Sequence, residues 1–124
     1  MSSVAKVALE SFALDATAAN RKMMLRLTGT GDMVAIEPLK RCLVQVRSEM
    51  DRLKLERLEV DIRGLYLLNS SCIKAFVHFI YLVQTDGPSM SIHFHVDENL
   101  TWQARALAPL TRMAPDIVSV VGSR

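Results

Sequence analysis

Val60-Asp61-Ile62-Arg63-Gly64-Leu65-Tyr66-Leu67-Leu68-Asn69-Ser70-Ser71-Cys72-Ile73 is the stretch on which the fold turns. From Leu58 to Ile62 apolar and charged residues alternate, the pattern of a strand with one buried face. Gly64 to Leu68 continues it as an apolar run. Asn69-Ser70-Ser71 then offers side-chain oxygens to the free N–H groups of a first helical turn. Ile73, Phe76, Val77, Ile80 and Val83 follow at helical spacing, and Asp86-Gly87-Pro88 ends the helix. A strand running into a helix is the building unit of a parallel sheet covered by helices.

Working outward, the residues upstream carry a second helix. Ile36, Leu39, Cys42, Leu43, Val46, Met50 and Leu53 recur every three or four positions, with Pro38 in the first turn and a charged face opposite. Ahead of it, Ala8 to Leu14 and Lys22 to Thr28 read as the first two strands, parted by the polar patch Asp15 to Arg21. The second of them ends in a turn at Thr28-Gly29-Thr30-Gly31-Asp32, where glycine permits what β-branched residues resist. Downstream, Ser89 to Val96 alternates strictly, with Met90, Ile92, Phe94 and Val96 on one side and Ser91, His93 and His95 on the other. Leu100 to Leu110 forms a short helix and Ile117 to Val121 a last strand. The order predicts an α/β domain with a mostly parallel sheet of four or five strands. The helices Ile36 to Lys54 and Ser70 to Thr85 cover one face of it.

The 124 residues suit one domain spanning 1–124, and 50% of them are hydrophobic, in short groups separated by charges. No apolar run approaches the roughly 20 residues of a membrane span, and the start lacks the apolar core of a signal peptide, so a cytoplasmic protein without membrane insertion is expected. Fifteen basic residues against 13 acidic ones give a net charge of +2, without the basic stripe of a nucleic-acid binder. Cys42 and Cys72, lacking a C-x-x-C spacing, read as reduced thiols.

Asn69, Ser70 and Ser71 have two readings. They cap the helix, or they stand where exposed N–H groups and the helix dipole tolerate a phosphate. Lys74, His78 and Tyr81 share one side of the helix, either as a solvated face or as a polar partner surface. His93 and His95 have the spacing of two metal ligands but no evident third, so neither metal nor cofactor is expected. A hydrolase would need a base for Ser70 or Ser71, yet there is no Gly-x-Ser-x-Gly elbow, and Gly29-Thr30-Gly31-Asp32 lacks the ending of a Walker loop. Catalysis is not expected.

The segment Val60 to Ile73 resembles the strand, loop and helix start of STAS domains, the family of bacterial anti-sigma-factor antagonists. Leu27-Thr28-Gly29-Thr30-Gly31-Asp32 is similar to that family's turn after its second strand. Asn99-Leu100-Thr101-Trp102-Gln103 resembles a branch of small stand-alone regulators. The resemblance implies a phosphorylation-switched protein-binding regulator, with Ser71 as the phosphoacceptor and Ser70 as the alternative. Asp32, Asn69 and Ser70 would support the site. The implied partners are a serine kinase or anti-sigma factor, a phosphatase, and an effector enzyme. Two residues depart from the family pattern: Asn69 replaces an aspartate, removing a charge beside the phosphate site. Cys72 replaces a glycine, placing a side chain at the crowded helix start. A constitutive scaffold without phosphorylation and a small serine hydrolase are the alternatives.

Overall fold

Ile92, Phe94 and Val96 are buried while Ser91, His93, His95 and Asp97 between them are partly exposed, so the alternation read from the sequence holds along this strand. The computed structural model describes residues 2–86 and 90–123. Its elements are β1 (Ser2–Ala8), β2 (Phe12–Ala19), β3 (Lys22–Gly31), a 3-10 turn (Met33–Ala35), α1 (Ile36–Leu53), β4 (Arg57–Leu68), α2 (Ser70–Thr85), β5 (Ser91–Asp97), α3 (Thr101–Met113) and β6 (Val118–Ser123). The strands lie side by side in chain order. The pairs β1–β2 and β2–β3 are antiparallel; β3–β4, β4–β5 and β5–β6 are parallel.

Among the described residues the sheet thus has six strands, against the four or five expected. The difference lies at the start of the chain. Ala8 to Leu14 is not one strand: the chain reverses at Leu9–Ser11, where Leu9 N–H donates to the Phe12 carbonyl at 2.8 Å. The polar patch Asp15 to Arg21 is mostly strand, with Phe12, Leu14, Ala16 and Ala18 facing the core. It ends in a two-residue hairpin turn in which Asn20 and Arg21 both have positive φ, 54° and 63°. That turn geometry matches strand twist and ordinarily takes Asn-Gly. The glycines after Thr28 also act differently from the expected turn. Gly29 lies inside β3 at φ 90°, and a Cβ there would stand 2.2 Å from the Ser11 carbonyl oxygen, which accepts from Thr30 N–H at 2.7 Å.

The hydrophobic core lies on one side of the sheet. Leu14, Leu25, Val60 and Phe94 face it from four strands, and α1 contributes Leu39, Cys42, Leu43, Val46 and Met50. Phe76 of α2 meets Phe94 edge to face, with ring centroids 5.4 Å apart. Helices α1 and α2 begin and end within a residue of their expected bounds. Gly87 and Pro88 of the expected stop, and Ser89 of the expected strand, lie outside the described residues.

Strand β4 carries two irregularities: three β4 steps oppose two on β3 between Arg26 and Thr28, and two oppose one between Gly29 and Thr30. Each extra residue reverses which face the next side chain takes. Ile62, Leu65 and Leu68 therefore all point inward, and Tyr66 and Leu67 outward. The fully buried Gln103 of α3 compensates the disturbed ladder, its amide donating to the Ile62 carbonyl at 2.7 Å and the Leu65 carbonyl at 3.0 Å. Its own oxygen accepts from Asp97 N–H at 2.8 Å.

Candidate functional site

The ends of β3 and β4 and the start of α2 are pinned together by Asn69 and Cys72. Asn69 N–H donates to the Gly31 carbonyl at 2.8 Å, and the Asn69 side chain accepts from Cys72 N–H at 2.9 Å. Asn69 is thus the N-cap of α2. Among the described residues neither the Ser70 nor the Ser71 hydroxyl takes part in a hydrogen bond. Ser70, the first residue of α2, is exposed; Ser71, the second, is half-buried rather than fully open.

Cys72 turns inward. Its Sγ lies 3.7 Å from the Gly31 carbonyl and 3.9 Å from the Asp32 carbonyl, and it is fully buried. Burial, with a contribution from the nearby Asp32 carboxylate, pushes its thiol pKa up. The Cys72 side chain therefore fills space beneath the loop. Both cysteines are free, and burial pushes the Cys42 thiol up to about 12. Gly31 is needed for the same close approach, since a Cβ on it would meet the Leu67 carbonyl and the Leu68 side chain at 2.9 Å. Asp32 caps the following 3-10 turn by accepting from Val34 N–H at 3.2 Å.

Apolar side chains that sequence reading did not single out stand around this junction. Met33 and Val34 follow Asp32, Tyr66 and Leu67 precede Asn69, and all four are exposed, Met33 and Tyr66 by 81% and 76%. The pairing of Thr30 with Leu67 and of Gly31 with Leu68 places the two short runs at the same end of the sheet. The signal available was the run Leu65 to Leu68, too apolar for a strand alternating toward solvent. On α2, Lys74, His78 and Tyr81 are exposed, as their spacing required; Lys74 and His78 line a groove against α1, which Tyr81 does not.

The sheet face away from the core is polar. Glu59 and Asp61 of β4 are buried yet ionised. Burial opposes their charge, but hydrogen bonds from Arg57 and His95 to Glu59, and from Arg63 to Asp61, outweigh it and hold both carboxyls below their ordinary values. Arg63 grips Asp61 at 3.0 and 2.9 Å, with Arg26 of β3 at 3.6 Å. His95 Nε2 stands 3.2 Å from Glu59, whereas His93 lies between the hydroxyls of Ser119 and Ser91 at 2.7 and 3.2 Å. Both histidines face away from the core, and the described residues contain no group of three or more His, Cys, Asp or Glu placed to hold a metal ion.

A pH dependence follows. Burial, reinforced by Arg57, lowers the His93 pKa from 6.5, so protons bind the unfolded chain more readily below that value. The stability this contributes is full above pH 6.5 and is lost as pH falls toward the folded pKa. The depressed carboxyls act in the same direction: their contribution is present above their ordinary values of 4.5 and 3.8 and disappears as pH falls through the folded values. The urea midpoint should be level from pH 8 to 7 and decline steadily below about 6.5. A midpoint that rises between pH 7 and 5 would contradict this network.

No family model and no curated protein matches this chain. Solved structures do. An anti-sigma factor antagonist from Mycobacterium paratuberculosis superimposes with a TM-score of 0.69 over 87% of this chain and 86% of that one, at 17% identity. The anti-sigma factor antagonist SpoIIAA in its unphosphorylated form does so with a TM-score of 0.59 over 90% and 89%, at 9% identity. The chain has the STAS-like fold of these proteins. Among the described residues no helix is long and apolar enough to cross a membrane.

Proposed function

We propose that this chain is a non-catalytic, cytoplasmic regulator of the anti-sigma-factor-antagonist kind, which binds a protein partner when unmodified and releases it when Ser71 is phosphorylated. The observation that carries this reading is the pair of uncommitted serine hydroxyls at the start of α2, at the end of the sheet where Met33, Val34, Tyr66 and Leu67 are exposed. An exposed apolar cluster of this kind marks an interaction surface. Because Asn69 already supplies the cap, modification of Ser71 removes no interaction that holds the helix. The helix N-terminus favours a phosphate by about 0.3–1 kcal/mol, and Lys74 lies one turn further along.

Asp32 and Asn69 serve the switch in different ways, the first by setting a like charge near a phosphorylated α2 start and the second by capping the helix in either state. The partners are a serine kinase or anti-sigma factor that recognises the exposed apolar residues at this end of the sheet, and a phosphatase that resets the serine; an effector enzyme is a further candidate. No base contacts either hydroxyl among the described residues, which supports a binding role over a hydrolytic one. Intact-mass measurement of the chain from its own cell tests the reading. A fraction one phosphate heavier, absent in Ser71→Ala, is expected; an unmodified population in all growth conditions would leave a constitutive scaffold instead.

A further inference from the structure

A groove of about 1210 Å³ runs between α1 and α2, from Ser71 at one end to Met90 at the other. Its floor is apolar, with Leu43, Ala75, Phe79 and Leu82, and Val44 on its wall is 71% exposed. Small-molecule sites are enclosed and measure roughly 300–1,000 Å³, so this one is larger and more open than such ligands need. The 18 residues of α1 make it about 27 Å long, the length of a helix of similar size laid alongside.

The charges on the walls are not evenly spread. Lys40 and Arg47 of α1 and Lys54 at its C-cap recur every seven residues, all on the groove. Toward Met90 they are balanced: Arg47 pairs with Asp86, and Asp51 and Glu56 stand near Lys54 in the sequence. Toward Ser71 the charged or titratable lining among the described residues is Lys40, Lys74 and His78, with no carboxylate. Lys40 reaches Glu37, outside the groove, at only 3.8 Å with both side chains well exposed, and Lys74 has no ion pair among the described residues.

We propose that this groove receives an amphipathic helix of the protein partner, its apolar stripe on Val44 and Leu82 above the largely buried Leu43 and Phe79, and its acidic end beside Lys40 and Lys74. Helix-in-groove recognition uses apolar anchors at i, i+3 or i+4 and i+7, and charge complementarity fixes the direction of docking. The inference goes beyond the serine switch by naming the surface and the partner segment. It rests on the protein-binding half of that reading and not on phosphorylation. A phosphate on Ser71 would stand at the same end of the groove, engage Lys74 and repel the acidic end of the helix.

The test uses the unphosphorylated full chain as bait for a phage-displayed library of helical 18-residue peptides. The selected peptides should combine an apolar stripe with Asp or Glu near one end. The best of them, labelled for fluorescence anisotropy, should lose about tenfold in affinity with Lys40→Glu/Lys74→Glu and with Val44→Asp. Arg105→Glu on exposed α3 should leave binding unchanged. Absence of enrichment, selection of peptides without acid, or binding indifferent to these substitutions in variants with wild-type circular dichroism overturns the proposal. So does native mass spectrometry showing oleate bound tightly to the wild type and not to Val44→Asp. Each of these failures leaves the mass test of Ser71 unaffected.

Discussion

Ser71→Asp is expected to bind the native protein partner roughly a hundredfold more weakly than Ser71→Ala, about 2.8 kcal/mol, with the two folds within about 1 kcal/mol of each other in stability. The asymmetry comes from where the charge sits. On the free protein a carboxylate at position 71 is partly hydrated, lies in the first turn of α2 and has Lys74 one turn away, so folding is changed by no more than about 1 kcal/mol. Against a partner seated on Met33, Val34, Tyr66 and Leu67 the same charge must give up water, and Asp32 nearby adds like-charge repulsion. Interfacial like-charge contacts cost several kcal/mol, so the aspartate recovers part of the effect of a phosphate, which carries close to twice the charge. Ser70→Asp, on the exposed neighbour, should have the smaller effect if Ser71 is the switch. Titration calorimetry with the purified partner measures all three. Equal affinities for Ser71→Ala and Ser71→Asp would remove the electrostatic basis of the switch.

Gln103→Leu is expected to cost roughly 3–5 kcal/mol of folding stability, a large share of the 5–15 kcal/mol that an ordinary domain possesses. Leucine nearly fills the volume but satisfies nothing. The Ile62 and Leu65 carbonyls, bonded by the Gln103 amide, would be left unpaired in a buried site, and Asp97 N–H, bonded by its oxygen, in a part-buried one. An unpaired buried group costs about 1–3 kcal/mol, and partial relaxation of α3 keeps the sum below the maximum. With an m-value near 2 kcal/mol/M the urea midpoint should fall by about 2 M. Gln103→Glu keeps the acceptor for Asp97 but sets a carboxylate against two carbonyls, so it should be at least as destabilised. A loss under about 1 kcal/mol in Gln103→Leu would mean that the irregular part of β4 holds its geometry without α3.

These two residues also mark where the sequence was legible and where it was not. Helix α1 could be read because its apolar residues are large and regularly spaced; Leu39, Cys42, Leu43, Val46 and Met50 are all buried, and only the ends of the stripe, Ile36 and Leu53, are less so. Strand β5 could be read because every inward residue is bulky and every outward one polar. The first strands could not. In β2 the core positions beyond Leu14 are Ala16 and Ala18, whose small side chains give almost no periodic signal, and the hairpin turn has arginine where glycine is usual. The irregularities of β4 depend on pairing with β3, and the two carbonyls that Gln103 bonds lie about 40 positions away in the chain, so neither is encoded locally.

For the site, residue order was enough to locate Asn69, Ser70 and Ser71 at a helix start, but not to divide their labour. Only the geometry shows that the asparagine caps, that Ser71 is partly covered at the mouth of the α1–α2 groove, and that Cys72 points inward to Gly31. The exposed apolar residues of the junction were hidden because Met33 and Val34 are more than thirty positions from Tyr66 and Leu67, and only the parallel pairing of β3 with β4 brings the two runs to one end of the sheet.

Phosphopeptide mapping of the chain from its own cell, performed separately on the partner-bound and free fractions, tests the central claim most directly. The account predicts phosphate on Ser71 in the free fraction and none in the bound one; phosphate on Ser71 in equal proportion in both, or on neither, would contradict it.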